Sequence, residues 1–298
     1  MSAALLGCYD SFKKEALRSN AVIPVLFLNT LFSSLLFLPF ILLSANSSFL
    51  DGSMFHVASG GWEVHKFILL KSLIVLSSWI LGYFGMKHLP LTIVGPINAT
   101  RPVMVLVGVL LLFGERLNLL QWVGVTLAVV SFLMLSRISK KEGIDFKHDH
   151  WIWMIVGSAA MGAVSGLYDK YLMAPVSEGG AGLDRMMVQS WYNIYQCLMM
   201  GAMLLLLWWP HRDKTTPFTW KWSIIGVSIF LSTADFMYFY SLSLPDAMIS
   251  IVSMIRRGSV IVSFLFGAML FHEKNLKAKA VDLALVLLGM IFLYIGSN

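Results

Sequence analysis

Apolar residues run almost unbroken along this chain, interrupted by short polar clusters rather than by alternation. Runs about as long as a bilayer crossing, roughly 20 residues, occupy 22–44, 67–86, 91–113, 118–136, 151–173, 187–209, 222–243, 246–271 and 278–296, with a shorter one at 3–17. None alternates apolar and polar positions with the period of two that a barrel strand needs. The spans are therefore predicted to be helices, which satisfy their own backbone hydrogen bonds inside lipid. The expected fold class is all-α integral membrane, with ten transmembrane helices.

Composition agrees: of 298 residues, 58% are hydrophobic and 13% charged, with a mean hydropathy of +0.76. The N-terminus lacks the basic segment, short apolar core and small-residue cleavage site of a signal peptide, so the first helix is expected to be retained. Cys8 and Cys197 both fall in predicted helices and are expected to be free thiols. A net charge of +6 on a chain without a basic soluble domain points to asymmetric loops around a bilayer, not to nucleic acid. Counted by loop parity, 14 Lys and Arg fall on one side, among them Lys13, Lys14, Arg137, Lys147 and Lys221, against five on the other: Lys66, Lys71, Arg116, Lys170 and Arg185. The richer side is expected to be cytoplasmic and both termini non-cytoplasmic.

The two halves read as one unit written twice. Leu89-Pro90 is followed 11 residues later by Arg101, as Leu244-Pro245 is by Arg256. Tyr83-Phe84 answers Tyr238-Phe239, Phe113-Gly114-Glu115-Arg116 answers Phe271-His272-Glu273-Lys274, Tyr9-Asp10 answers Tyr168-Asp169, and Asn29 answers Asn193. Five helices per half force the second copy to cross upside down, the inverted-repeat arrangement of secondary transporters. The expected units are 1–138, a hydrophilic linker at 139–150, and 151–298. Tyr9 lies close to Met1 whereas Tyr168 stands deep in its run, so the first helix is expected to be truncated by about eight or nine residues relative to a full crossing.

Five plus five helices, proline-led fourth and ninth helices and their terminal Gly-Glu and His-Glu pairs resemble the EamA family of the drug/metabolite transporter superfamily over essentially the whole chain. That resemblance implies a basket of helices around a cavity, working by alternating access.

Arg101, Arg256 and Arg257 lie nine to 11 residues into their runs. A charge there costs about 2.5–3.5 kcal/mol on insertion scales, so it marks a wet cavity or a partner. Converging guanidinium forks suit carboxylate or phosphate groups. The alternative is a structural pair such as Arg256 with Asp235, itself open to a second role as a proton carrier. Residues 254–262 are similar to the ninth helix of plastid sugar-phosphate translocators, with Arg256 where that family has Lys. Trp191-Tyr192-Asn193 resembles part of the Phe-Tyr-Asn-Asn motif of nucleotide-sugar transporters, with Ile194 in place of the second Asn. Tyr192, Asn193 and Asn29 thus join the three arginines as expected substrate-binding residues, while Tyr238 and Tyr240 stand as cavity wall or plain packing.

Other signals read as structural. Glu115 and Glu273 end their helices beside basic residues. Lys71, one turn inside its run, is expected to snorkel. His148, Asp149 and His150 read as a solvated linker rather than a metal site, and Ser158, Gly162 and Gly166 as a small-residue packing face. The two Asp of the repeated Tyr-Asp word are expected to be boundary residues that close their helices.

The function expected is transport of a small organic anion or polar metabolite across a cell membrane, such as a bacterial inner membrane, with a coupling ion or counter-substrate left open. An exporter of drugs or amino-acid-like metabolites is the nearest alternative; a lipid flippase or a non-transporting assembly partner is another. No converging acid, base or metal set suggests an enzyme, and no cofactor is expected.

Overall fold

The computed structural model describes residues 1–104, 118–140, 143–243, 252 and 255–297. Its helices are α1 (Ser2–Leu17), α2 (Val22–Asn46), α3 (Trp62–His88), α4 (Leu91–Ala99), α5 (Leu119–Lys140), α6 (His150–Met173), α7 (Arg185–Met203), α8 (Ser223–Leu242), α9 (Ser259–Met269) and α10 (Leu276–Ser297). Seven spans among the described residues are long and apolar enough to cross a bilayer: α2, α3, α5, α6, α8, α10, and α7 with its continuation through Leu204–Trp208 and Trp209–Lys214. No strand occurs among the described residues.

Where a whole apolar run is described, helix ends fall close to the run's ends, with one consequential exception. α3 begins at Trp62, not at 67, because Glu63 and Lys66 pair on its exposed first turn. Lys71 is thereby drawn well inside the helix.

The pairing of helices is regular. α3 lies along α6, α1 along α8, α2 along α7 and α8, α3 along α7, α4 along α9, and α5 along α10. Adding or subtracting five from each number turns α1–α8 into α6–α3 and α2–α8 into α7–α3, and leaves α2–α7, α4–α9 and α5–α10 unchanged. The α5–α10 contact is close because Gly124 and Gly289 face each other: a Cβ on Gly124 would stand 2.8 Å from the Gly289 carbonyl.

One end of the bundle is stitched by side chains that satisfy helix termini, whose last carbonyls and first N–H groups have no partner within the helix. Lys14 donates to the Met86 and Leu89 carbonyls at the end of α3. Lys221 donates to the Glu15 and Arg18 carbonyls at the end of α1, 2.8 Å each. Asn20 and Thr219 exchange two hydrogen bonds of 2.7 and 2.9 Å. Glu273 accepts from the Leu91 and Thr92 N–H groups at 2.6 and 2.9 Å, capping α4 from the far half of the chain, where Pro90 offers no side-chain cap. Glu273 is thus structural, as its sequence context suggests; Glu115 lies outside the described residues. At the other end Phe55 stacks between Phe40 and Phe236, with centroids at 5.3 and 5.5 Å. Arg185 holds that loop by donating to the Met54 carbonyl at 3.1 Å.

Candidate functional site

A cavity of about 700 Å³ opens between α1, α3, α4, α6, α7, α8 and the 255–260 segment. Arg101, Arg256 and Arg257 all line it, so the three arginines expected at a site do meet in one space. Tyr192, Asp235 and Tyr238 line it too. Asn29 and Asn193 do not, and neither does Tyr240, whose ring is covered by the Arg185 guanidinium at 4.7 Å.

Three carboxylates share the wall, and each is engaged. Asp235 pairs with Arg256 through one oxygen and accepts the Tyr192 hydroxyl at 2.8 Å through the other, while Arg256 lies 4.2 Å over the Tyr238 ring. Asp169 pairs with Lys71, whose ammonium sits 5.1 and 5.0 Å from the Tyr192 and Phe239 ring centroids. Asp10 pairs with Lys13 at 3.0 Å and accepts from Ser263 at 3.1 Å. These networks tie α3, α6, α7, α8 and the helical residues 255–257 at one level, and α1 and α9 at another.

Two guanidinium groups on the cavity wall remain without an ion pair among the described residues. Arg101 donates to the Asn98 side-chain oxygen at 3.1 Å, and the Nε atoms of both Arg101 and Arg257 are buried without a partner. Arg101 lies flat on α6 at Gly162, where an added Cβ would come within 2.6 Å of its Cζ and Nη1.

Several sequence readings are corrected. Lys71 does not snorkel; it is 2% exposed and paired inside the protein. The repeated Tyr-Asp words do not close helices. Tyr9 and Asp10 stand in the middle of α1, which continues to Leu17 because Lys13 and Lys14 find partners there, and both aspartates face the cavity. The small-residue stripe is more than packing: Ser158 exchanges two 2.8 Å hydrogen bonds with Ser78 on α3, and Ser158, Gly162 and Gly166 all belong to the cavity wall.

The remaining expected residues form a buried seam behind the cavity. Ser34 donates to the Asn193 carbonyl, 2.8 Å, Ser228 to that of Asn29, 3.2 Å, and Asn193 to that of Gln189, 2.8 Å. The side-chain amides of Asn29 and Gln196 are buried there without partners. Trp191 turns away from the cavity and packs edge-on against His65.

In the linker, Asp149 caps α6 through the Trp151 N–H and Asp145 contacts His148 at 2.7 Å, which holds the Asp145 carboxyl below its ordinary range. Cys8 on α1 and Cys197 on α7 are free thiols.

The wall missed by sequence reading (Tyr9, Asp10, Lys13, Lys71, Asp169) carried one usable signal. The Tyr-Asp word occurs at equivalent places in both halves, and inverted repeats bring equivalent positions to the space between them.

Among solved structures, one titled "Crystal structure of protein" shares the fold, with a TM-score of 0.63 and 14% identity over 98% of this chain and 93% of that one. Among curated proteins none matches the sequence. Residues 1–137 match the model of the EamA-like transporter family. Its apolar crossing helices make this a multi-pass membrane protein, and residues 1–137 are similar to transporters of the EamA-like family, in the drug/metabolite transporter superfamily.

Proposed function

We propose that this protein is a secondary transporter that carries a small organic anion, or a polar metabolite with an anionic group, by alternating access. The observation that carries this reading is the charge of the cavity wall. Six cationic side chains (Lys13, Lys71, Arg101, Lys170, Arg256 and Arg257) face three carboxylates, all already engaged. A cationic guest would have to displace one of these pairs and would meet a surplus of like charge, which disfavours an exporter of lipophilic cations.

In this reading Arg101 and Arg257 contact the guest, Arg256 sets the local field, and Tyr192 borders the space while orienting Asp235. Asp235 is an ion-pair partner rather than a proton carrier. Asn29 and Asn193 support the wall from the seam behind α7. The exchange of helix contacts between halves supports two inverted five-helix repeats, 1–138 and 151–298, joined by the linker at 139–150. The ties among Lys14, Asn20, Lys221 and Glu273 support a conformer closed at the end that positive charge assigns to the cytoplasm of a cell membrane.

The test is uptake into proteoliposomes of radiolabelled organic anions and, in parallel, of lipophilic cations. Saturable uptake of at least one anion, inhibited by other anions, is expected; uptake of cations alone would defeat the proposal.

A further inference from the structure

We infer that the cavity is built for a guest bearing two negative charges on one small molecule, held between Arg101 and Arg257. This deepens the anion-transport reading and rests on it.

The argument is a balance of charge, side chain by side chain. Asp10, Asp169 and Asp235 neutralise Lys13, Lys71 and Arg256. Lys170 is exposed, so water screens it. Arg101 and Arg257 are left: both on the wall, both only partly accessible, neither ion-paired among the described residues. Each also has a buried Nε with no acceptor. A carboxylate or phosphate oxygen pair meets an arginine through parallel N–H bonds, so an idle Nε is half of an unused fork. Like charges in a largely apolar enclosure repel strongly because little water screens them. A singly charged guest leaves one of the two uncompensated, whereas a doubly charged guest neutralises both.

Two carboxylates or one phosphomonoester both supply this chemistry. They differ in geometry, because a phosphomonoester concentrates both charges on one tetrahedral group whereas a dicarboxylate holds them on two separated planar groups.

The experiment measures binding to the purified full-length protein by thermal shift and by isothermal titration, using matched probes: succinate against butyrate, and glycerol phosphate against its singly charged methyl diester. The doubly charged member is expected to bind at least tenfold more tightly. At pH 7.5, where both probes carry two charges, tighter binding of glycerol phosphate identifies a phosphomonoester site and tighter binding of succinate identifies a dicarboxylate site.

Arg257→Met should lose at least tenfold in affinity for the preferred probe and abolish the preference, while raising the melting temperature of the ligand-free protein by relieving the repulsion. Arg257→Lys should keep the preference. Lys66→Met, which removes a positive charge away from the cavity, should change affinity less than twofold. If butyrate binds as well as succinate and glycerol phosphate shows no advantage in charge, the double-charge inference fails and the anion reading stands. If none of these anions nor any in the uptake panel binds, both fail. A ligand-free Arg257→Met protein that melts lower than wild type would make the arginine structural and overturn the assignment.

Discussion

Arg101 can rest its guanidinium against α6 because residue 162 has no side chain. An added methyl would sit 2.6 Å from Cζ, closer than any real carbon contact, so the guanidinium itself must move. Gly162→Ala should therefore weaken binding of the preferred anion at least tenfold. Folded stability should hold or rise, since Ala is favoured over Gly in a helix by up to about 1 kcal/mol. Titration and thermal melting on one sample separate these effects; an unchanged affinity would show that the contact does not position Arg101. Asp169 and Lys71 make the complementary point. Each buried charge is tolerable because of the other, since breaking such a pair leaves an uncompensated ion.

At the level of elements, α4 shows how one half of the chain completes a helix in the other. It begins after Pro90, which offers no side chain to its first N–H groups, and Glu273 fills that role across 182 residues of sequence. Glu273→Ala should cost about 1–2 kcal/mol, in the upper part of the range for a lost N-cap. Thermal unfolding in detergent checks this; a loss below about 0.5 kcal/mol would mean that water replaces the cap. Lys14 and Lys221 act at the opposite pole, binding helix C-terminal carbonyls where cations are favoured. The lysines that mark one side of the bilayer in the sequence are thus partly a device for closing that end.

For the whole molecule, the proposed orientation has a direct consequence. On a background lacking Cys8 and Cys197, a cysteine at Lys147 should resist an impermeant maleimide in intact cells and react after permeabilisation. Labelling of intact cells would invert the topology. Much of this scale was legible from the sequence. A helix in lipid must satisfy its own backbone and span a fixed thickness, so length and hydropathy located seven of the ten expected crossing segments, among the described residues, to within a few residues, α3 excepted. The cost of midplane charge likewise singled out Arg101, Arg256 and Arg257 before any coordinates, and all three line the cavity.

What stayed hidden depends on which side chain meets which. Hydropathy treats Lys71 as a boundary lysine and Asp10 as a helix end, because it measures how each residue suits lipid and not whether a partner waits on another helix. Lys71 finds its partner 98 residues away and Asp10 lies against Ser263, 253 residues away. Asn29 and Asn193, matched by the repeat, sit behind the wall because helix rotation decides which face meets the cavity. The sequence by itself determined that the chain is a bundle of membrane-crossing helices with charge at its centre, since the bilayer imposes those terms on every residue locally. Only the tertiary structure decided which cavity charges are neutralised and which two buried arginines have no ion pair among the described residues, because ion pairing is settled by contacts between distant helices.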